Sequence, residues 1–154
     1  MTRLTGSSQA EIAAPVELCW QVVEDVAAAP SWQGGLERVD VVERDDRGRV
    51  VLCDAVIDAR FTKVRCRLRV GYEPPHRLSF TRVASDDVDE LEASWELSAL
   101  PSGTTLATWR VAVDPGPVGF LARPLERALR PLFAGSRPEE LARAVQAHRD
   151  HDRP

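Results

Sequence analysis

The 154-residue sequence has no apolar run of membrane-spanning length, which excludes a transmembrane helix. Its opening residues, MTRLTGSSQAE, lack the apolar stretch of a signal peptide, so the chain is expected to be soluble and cytoplasmic. It has no positive excess either. Twenty Lys and Arg stand against 24 Asp and Glu, a net charge of -4, and nothing here draws the protein to a phosphate backbone; nucleic acid is not an expected partner. Cysteine is scarce. Cys19, Cys53 and Cys66 are odd in number, fit no CxxC spacing and sit among apolar residues, which reads as reduced, buried thiols. The three histidines do not cluster: His76 falls in a Pro-Pro-His-Arg corner expected to be exposed, and His148 and His151 lie near the C-terminus. No metal and no other cofactor is therefore expected. There is no nucleophile elbow and no Gly-rich phosphate loop; Ser102 and Ser136, each beside a glycine, have turn and cap contexts. Tyrosine occurs once, at Tyr72.

What the chain does have is an apolar fraction of 44%, enough for one domain with a core and a lined cavity besides. Residues 1–7 and 150–154 read as flexible ends of a single domain spanning 1–154. Gln9–Ile12 reads as a first strand. Pro15 suits the first turn of a helix, and Val16, Cys19, Trp20 and Val23 give that helix one apolar face. Asp25–Trp32 is a shorter helix or turn limited by Pro30. Six strands follow: Leu36–Glu43, Arg49–Asp58, Phe61–Tyr72, Arg77–Ala84, Asp89–Leu100 and Thr104–Asp114. Short turns such as Asp45-Asp46-Arg47-Gly48 and Pro101-Ser102-Gly103 join them into an antiparallel meander.

Alternation assigns the faces. Val64, Cys66, Leu68 and Val70 point one way, and Lys63, Arg65, Arg67 and Arg69 the other; four cations without partners cannot be buried, so the apolar set faces inward. By the same logic Val51, Cys53, Ala55 and Ile57, then Leu91, Ala93, Trp95 and Leu97, then Trp109, Val111 and Val113, face inward, although Leu106 breaks the last alternation. Asp54 and Arg110 fall outside, and a slip of one residue would exchange the faces. The basic row around Arg67 and the acidic row Glu90, Glu92 and Glu96 are expected on nearby strands, pairing as a solvated lattice of small net worth. Toward the C-terminus, Leu121, Leu125, Leu129 and Leu132 recur at helical spacing. Pro131–Gly135 interrupts them with an expected kink or break, and Ser136–Glu139 opens a second piece whose stripe is Leu141, Val145 and His148.

The order of these pieces carries a resemblance. The segment Ile12–Val42 runs strand, Ala-Pro, helix, Asp-Val, Pro-Ser-Trp turn, strand. Tyr72-Glu73-Pro74-Pro75-His76-Arg77-Leu78 forms a Pro-Pro corner, and Leu91-Glu92-Ala93-Ser94-Trp95-Glu96-Leu97 a late strand. Gly103-Thr104-Thr105 leads to Trp109, and Asp114-Pro115-Gly116-Pro117 precedes the last helix. From about Gln9 to Ala147 the chain resembles the START-like (helix-grip, SRPBCC) superfamily, in its polyketide cyclase/dehydrase and lipid transport branch. The resemblance implies an α+β fold: a curved antiparallel sheet of about seven strands wrapped around a long, kinked C-terminal helix, with two short helices after the first strand and an apolar cavity between sheet and helix.

Three functions fit that expectation. The first is a module that binds a hydrophobic, aromatic or polycyclic small molecule without membrane insertion. Its lining candidates are Trp32, Cys53, Ile57, Cys66, Tyr72, Phe80, Trp95, Trp109, Leu121 and Leu125, with Trp32 where the family places the cavity mouth. The second is a cofactor-independent polyketide cyclase or aromatase. Such chemistry needs a polar group in the cavity, and Tyr72, inward-facing near a strand end, is the candidate; packing with its hydroxyl at the rim is the alternative. The third is an interaction protein with a filled core that uses the Arg65, Arg67 and Arg69 face or the last helix.

Overall fold

A computed structural model describes residues 3–58, 63–115 and 137–151. Its elements are β1 (Leu4–Ile12), α1 (Val16–Glu24), a 3-10 turn (Val26–Ser31), β2 (Leu36–Arg44), β3 (Val50–Asp58), β4 (Lys63–Glu73), β5 (Arg77–Ala84), β6 (Glu90–Ala99), β7 (Thr105–Asp114) and α2 (Arg137–His151). The strands form one seven-stranded antiparallel sheet in the order β1-β7-β6-β5-β4-β3-β2. This is the α+β helix-grip architecture. The strands β2 to β7 pair in sequence order, and among the described ladders only that of β1 and β7 joins distant parts of the chain. The α2 helix packs on α1, β1 and β7. The expected kink at Pro131–Gly135, the cap residue Ser136, and Leu121, Leu125, Leu129 and Leu132 lie outside the described residues.

Two elements depart from expectation. The first strand begins at Leu4 rather than Gln9, so residues 4–7 belong to the sheet and are not a frayed end. Local pattern understates this strand because LTGSSQAEI is mostly small and polar. What holds it is a continuous register with β7, from Leu4 opposite Val113 to Ile12 opposite Thr105. At the other end, α2 continues through Asp150 to His151. The second departure concerns the charged rows. β5 separates the basic row of β4 from the acidic row of β6. The cations of β4 therefore pair toward β3 and β2, Arg67 with Asp54 at 2.8 Å and Lys63 with Glu37 at 2.7 Å. The acids of β6 pair toward β1 and β7, Glu92 with Arg3 at 3.1 Å and Glu96 with Arg110 at 3.3 Å.

The facing of the central strands follows the alternation except on β3, where Val51 is only half-buried and Val50 and Val56 are buried. Val64, Cys66, Leu68 and Val70 are buried, as are Cys53, Ala55, Ile57, Leu91, Trp95, Leu97, Trp109, Val111 and Val113. Ser94 and Thr108 are buried as well, although they sit on the outer face. Thr108 stands in register between Gln9 and Glu96, whose longer side chains flank it on a strand paired along both edges. Leu106 occupies the same face, half-buried opposite Glu11 and Ser98. The inner face is closed by Val16, Cys19, Trp20 and Val23 of α1 and by Leu141 and Val145 of α2, all buried. The free edge of β2 is interrupted by register shifts and carries Glu37, Arg38, Asp40 and Glu43, which disfavours pairing with another sheet.

These observations separate two classes of substitution. Leu141→Ala removes a fully buried side chain from the helix–sheet interface and should cost about 2–5 kcal/mol. Asp54→Ala breaks an exposed ion pair and should cost at most about 1 kcal/mol. Urea unfolding followed by far-UV circular dichroism measures both, and equal losses would contradict this assignment of core and surface.

Candidate functional site

The inner face of the sheet can be read as cross-strand rows. One row runs Tyr72, Leu78, Trp95, Trp109 across β4, β5, β6 and β7, and the next runs Val70, Phe80, Ala93, Val111. The second row contains Ala93 between two larger residues, and β3 contributes Ala55 nearby. Such methyl-only side chains leave space that their neighbours cannot fill. A cavity of about 70 Å3 lies there, almost wholly apolar, walled by Cys53, Ile57, Leu68, Phe80, Trp109 and Val111 among others. Val26, Ala29 and Gln33 close it from the 3-10 turn, and Arg137 from the start of α2.

Four of the ten anticipated lining residues border this cavity: Cys53, Ile57, Phe80 and Trp109. Cys66 is buried in the same sheet face, opposite Ala55. Trp95 is fully buried one row away, its ring centroid 5.1 Å from that of Trp109 and 6.1 Å from that of Trp32. Trp32 caps the 3-10 turn, with its N–H donating to the Ala29 carbonyl, and packs half-buried on the core. Leu121 and Leu125 fall outside the described residues. Trp95 Nε1 is buried without a hydrogen-bond partner among the described residues, at a cost of about 1–3 kcal/mol that the burial of the whole indole must offset.

Tyr72 stands at the far end of its row. Its hydroxyl donates to the Val50 carbonyl at 2.6 Å, the Arg49 guanidinium lies 4.8 Å over its ring, and the edge of Trp20 meets it. Burial pushes the phenol up to about 12. Its proton is therefore committed to a backbone acceptor away from the cavity, a packing role in which the one polar atom is satisfied. The thiols are equally inert. Burial pushes Cys53 and Cys66 up to about 11, and raises Cys19 as well.

The polar end of the cavity comes from residues that sequence patterning did not single out. Arg137 is buried, with only 5% of its side chain exposed. Its Nη1 donates to the Gly34 carbonyl at 2.9 Å and to Glu140 Oε1 at 3.1 Å, and its guanidinium lies 5.7 Å from the centre of the Trp109 ring. Glu140 accepts the Gly34 N–H on its other oxygen. One residue pair on the first turn of α2 thus holds both polar groups of Gly34. A Cβ there would come within 2.7 Å of Glu140 Oε2, so a larger residue would have to push that carboxylate aside. Gly35 follows at φ +81, a left-handed turn that directs the chain into β2, and its carbonyl accepts the Asp58 N–H. Burial lowers the pKa of Arg137, and the Glu140 charge opposes that shift. The signal that could have found this pair was its (i, i+3) spacing at the helix start opposite a Gly-Gly sequence, but only tertiary packing brings residues 34 and 137 together.

Residues 12–135 match the family model described as polyketide cyclase / dehydrase and lipid transport, and the chain belongs to that family. Among solved structures it is similar to a protein from Thermus thermophilus, at 20% identity and a TM-score of 0.76 over 94% of this chain and 99% of the other. It is similar also to the Zhui aromatase/cyclase from Streptomyces sp. R1128, at 15% identity and a TM-score of 0.73 over 97% and 95% of the two chains. A START superfamily protein from Mycobacterium smegmatis aligns at 18% identity and a TM-score of 0.69 over 96% and 97%. At these identities the likeness is one of fold. No curated protein matches the chain.

The raised thiols give a prediction with a defined sign. A folded-state pKa near 11 against an ordinary value of 9.0 means that folding holds these protons, so the contribution is intact below pH 9 and is lost as pH rises toward 11. Stability should fall over that window, and Cys53→Ala combined with Cys66→Ala should flatten the fall. At pH 7.5 a disulfide-exchange reagent should label no thiol until the protein is unfolded; rapid labelling of the native protein would contradict the buried placement.

Proposed function

We propose that the protein is a binding module that holds a small hydrophobic molecule between the sheet and the C-terminal region, without a covalent step. The observation that carries this reading is the cavity itself: an apolar space beside Trp109 and Phe80 whose polar side chains, among the described residues, are Gln33 and Arg137. Affinity comes from apolar burial, at roughly 25 cal/mol per Å2 of apolar area removed from water. At about 70 Å3 the cavity is far smaller than the roughly 300–1,000 Å3 of drug-sized sites. Binding therefore requires its walls to part, and the Gly34–Gly35 segment beside Gln33 is a stretch of wall held by hydrogen bonds rather than by side-chain packing.

A second reading, a cofactor-independent polyketide cyclase or aromatase, is favoured by the family's description and by likeness to a structure titled an aromatase/cyclase. It needs a proton donor or acceptor at the ligand. Tyr72 is occupied with the Val50 carbonyl, and the thiols keep their protons at neutral pH. These facts favour binding over turnover among the described residues.

Native mass spectrometry of the purified protein beside a denatured control tests the module. A small molecule that leaves on denaturation is the expected result. An empty protein that also fails to enhance hydrophobic fluorescent probes would favour the filled-core interaction protein. Ala93→Leu, which fills the cavity from its floor, should leave the protein folded and abolish retention. Tyr72→Phe should leave ligand retention unchanged and lower stability by about 0.5–1.5 kcal/mol through the lost hydrogen bond.

A further inference from the structure

Arg137 is an expensive residue for the task of holding a loop. Taking a guanidinium out of water costs several kcal/mol before its partners return anything. A neutral amide donor would hold the Gly34 carbonyl without that cost. The ion pair with Glu140 is internal to one helical turn and reaches no other element by itself. Moreover, among the described residues both hydrogen bonds of the guanidinium leave from one nitrogen, Nη1. An arginine has five N–H donors in a planar fork, so most of its capacity is not spent on the clasp. The side chain nevertheless borders the apolar cavity, against the face of Trp109. Gln33 borders it too and directly precedes Gly34, whose carbonyl Arg137 holds, so the two polar side chains stand at the same end. Among the described residues, one positive charge and one amide stand at a single end of an apolar chamber, the polarity of an amphipathic acid.

We propose that the ligand of this cavity is an amphipathic monoanion: an apolar, ring-sized body carrying one carboxylate, whose oxygens are taken by Arg137 in competition with Glu140. The inference rests on the binding-module reading and adds the charge class of the ligand to it. Glu140 is the built-in competitor. While the cavity is unfilled its carboxylate neutralises Arg137 and, through the Gly34 N–H, holds the loop against α2. A ligand carboxylate offers the guanidinium a second anionic acceptor, and a bidentate one, in a setting where water does not compete.

The test uses the full chain and a matched pair of probes, 2-naphthoate and methyl 2-naphthyl ketone, which share a ring and differ in charge. Binding is followed at pH 7.5 by tryptophan fluorescence. The wild-type protein should prefer the acid by about tenfold or more. Arg137→Met should remove that preference, so that the acid binds no better than the ketone. Glu140→Gln keeps an acceptor for the Gly34 N–H but withdraws the competing charge, so it should tighten the acid several-fold relative to the ketone. A purely structural clasp predicts that both variants weaken both probes together, and that result would overturn the proposal. If Arg137→Met fails to fold, the sign of the Glu140→Gln effect decides by itself. Equal binding of acid and ketone by the wild-type protein overturns the charge assignment while sparing the module. Failure of both probes to bind at millimolar concentration overturns both readings.

Discussion

Val64, Cys66, Leu68 and Val70 on β4, with Leu91, Trp95 and Leu97 on β6, place a continuous apolar surface on one side of a seven-stranded sheet, and that surface must be kept from water. A sheet with one apolar face is stable only when another layer covers it. Among the described residues that layer is made by α1, the 3-10 turn and α2, which come from opposite ends of the chain. The cover is effective over most of the area, with Trp95, Leu97 and Leu141 almost completely excluded from solvent. Among the described residues a cavity remains over Ala93 and Ala55, where the sheet carries only short side chains. The cavity is thus a consequence of the covering constraint, located where side-chain volume runs short.

The loop from the 3-10 turn into β2 has little apolar support among the described residues. Trp32 is half-buried, and Gly34 and Gly35 have no side chains to pack. Polar contacts replace apolar ones there. Arg137 and Glu140 grip Gly34 from either side, and the Asp58 N–H fixes Gly35. Buried ion pairs return little net stability because desolvation consumes most of the attraction, but their geometry is strict. The clasp therefore defines where the loop sits more than how strongly it is held, which is the balance expected of a wall that has to open.

Much of the fold is legible from residue patterns. The alternation on β4 and β6 is sharp because long charged residues occupy nearly every outer position, and no other facing satisfies four cations. Turn chemistry bounds β5 at Arg77 and Ala84 and brings β3, β6 and β7 within one residue of their ends. The pattern fails where composition is indifferent. The small polar residues at the start of β1 fit a tail as well as a strand, and Thr108 and Leu106 carry no consistent polarity. For the site, the apolar wall was readable in part, through Cys53, Ile57, Phe80 and Trp109, since inward-facing positions on central strands are the only candidates. Cys66 and Trp95 share their polarity yet do not border the space, because alternation reports which face a residue occupies and not how far along that face the cover lifts away.

By itself the sequence determined the elements, their inward faces and the family to which the chain belongs, because periodicity, turn residues and charge are local properties written every few residues. Only the tertiary structure decided the rest. It paired Leu4–Ile12 with the last strand, sent the charged rows to different partners by inserting β5 between them, and turned Tyr72 toward the Val50 carbonyl. It also brought Arg137 and Glu140 to Gly34, more than a hundred positions away. Such contacts depend on which distant surfaces meet when the helices close over the sheet. Local patterns carry no record of that meeting, and the polar end of the cavity exists only because of it.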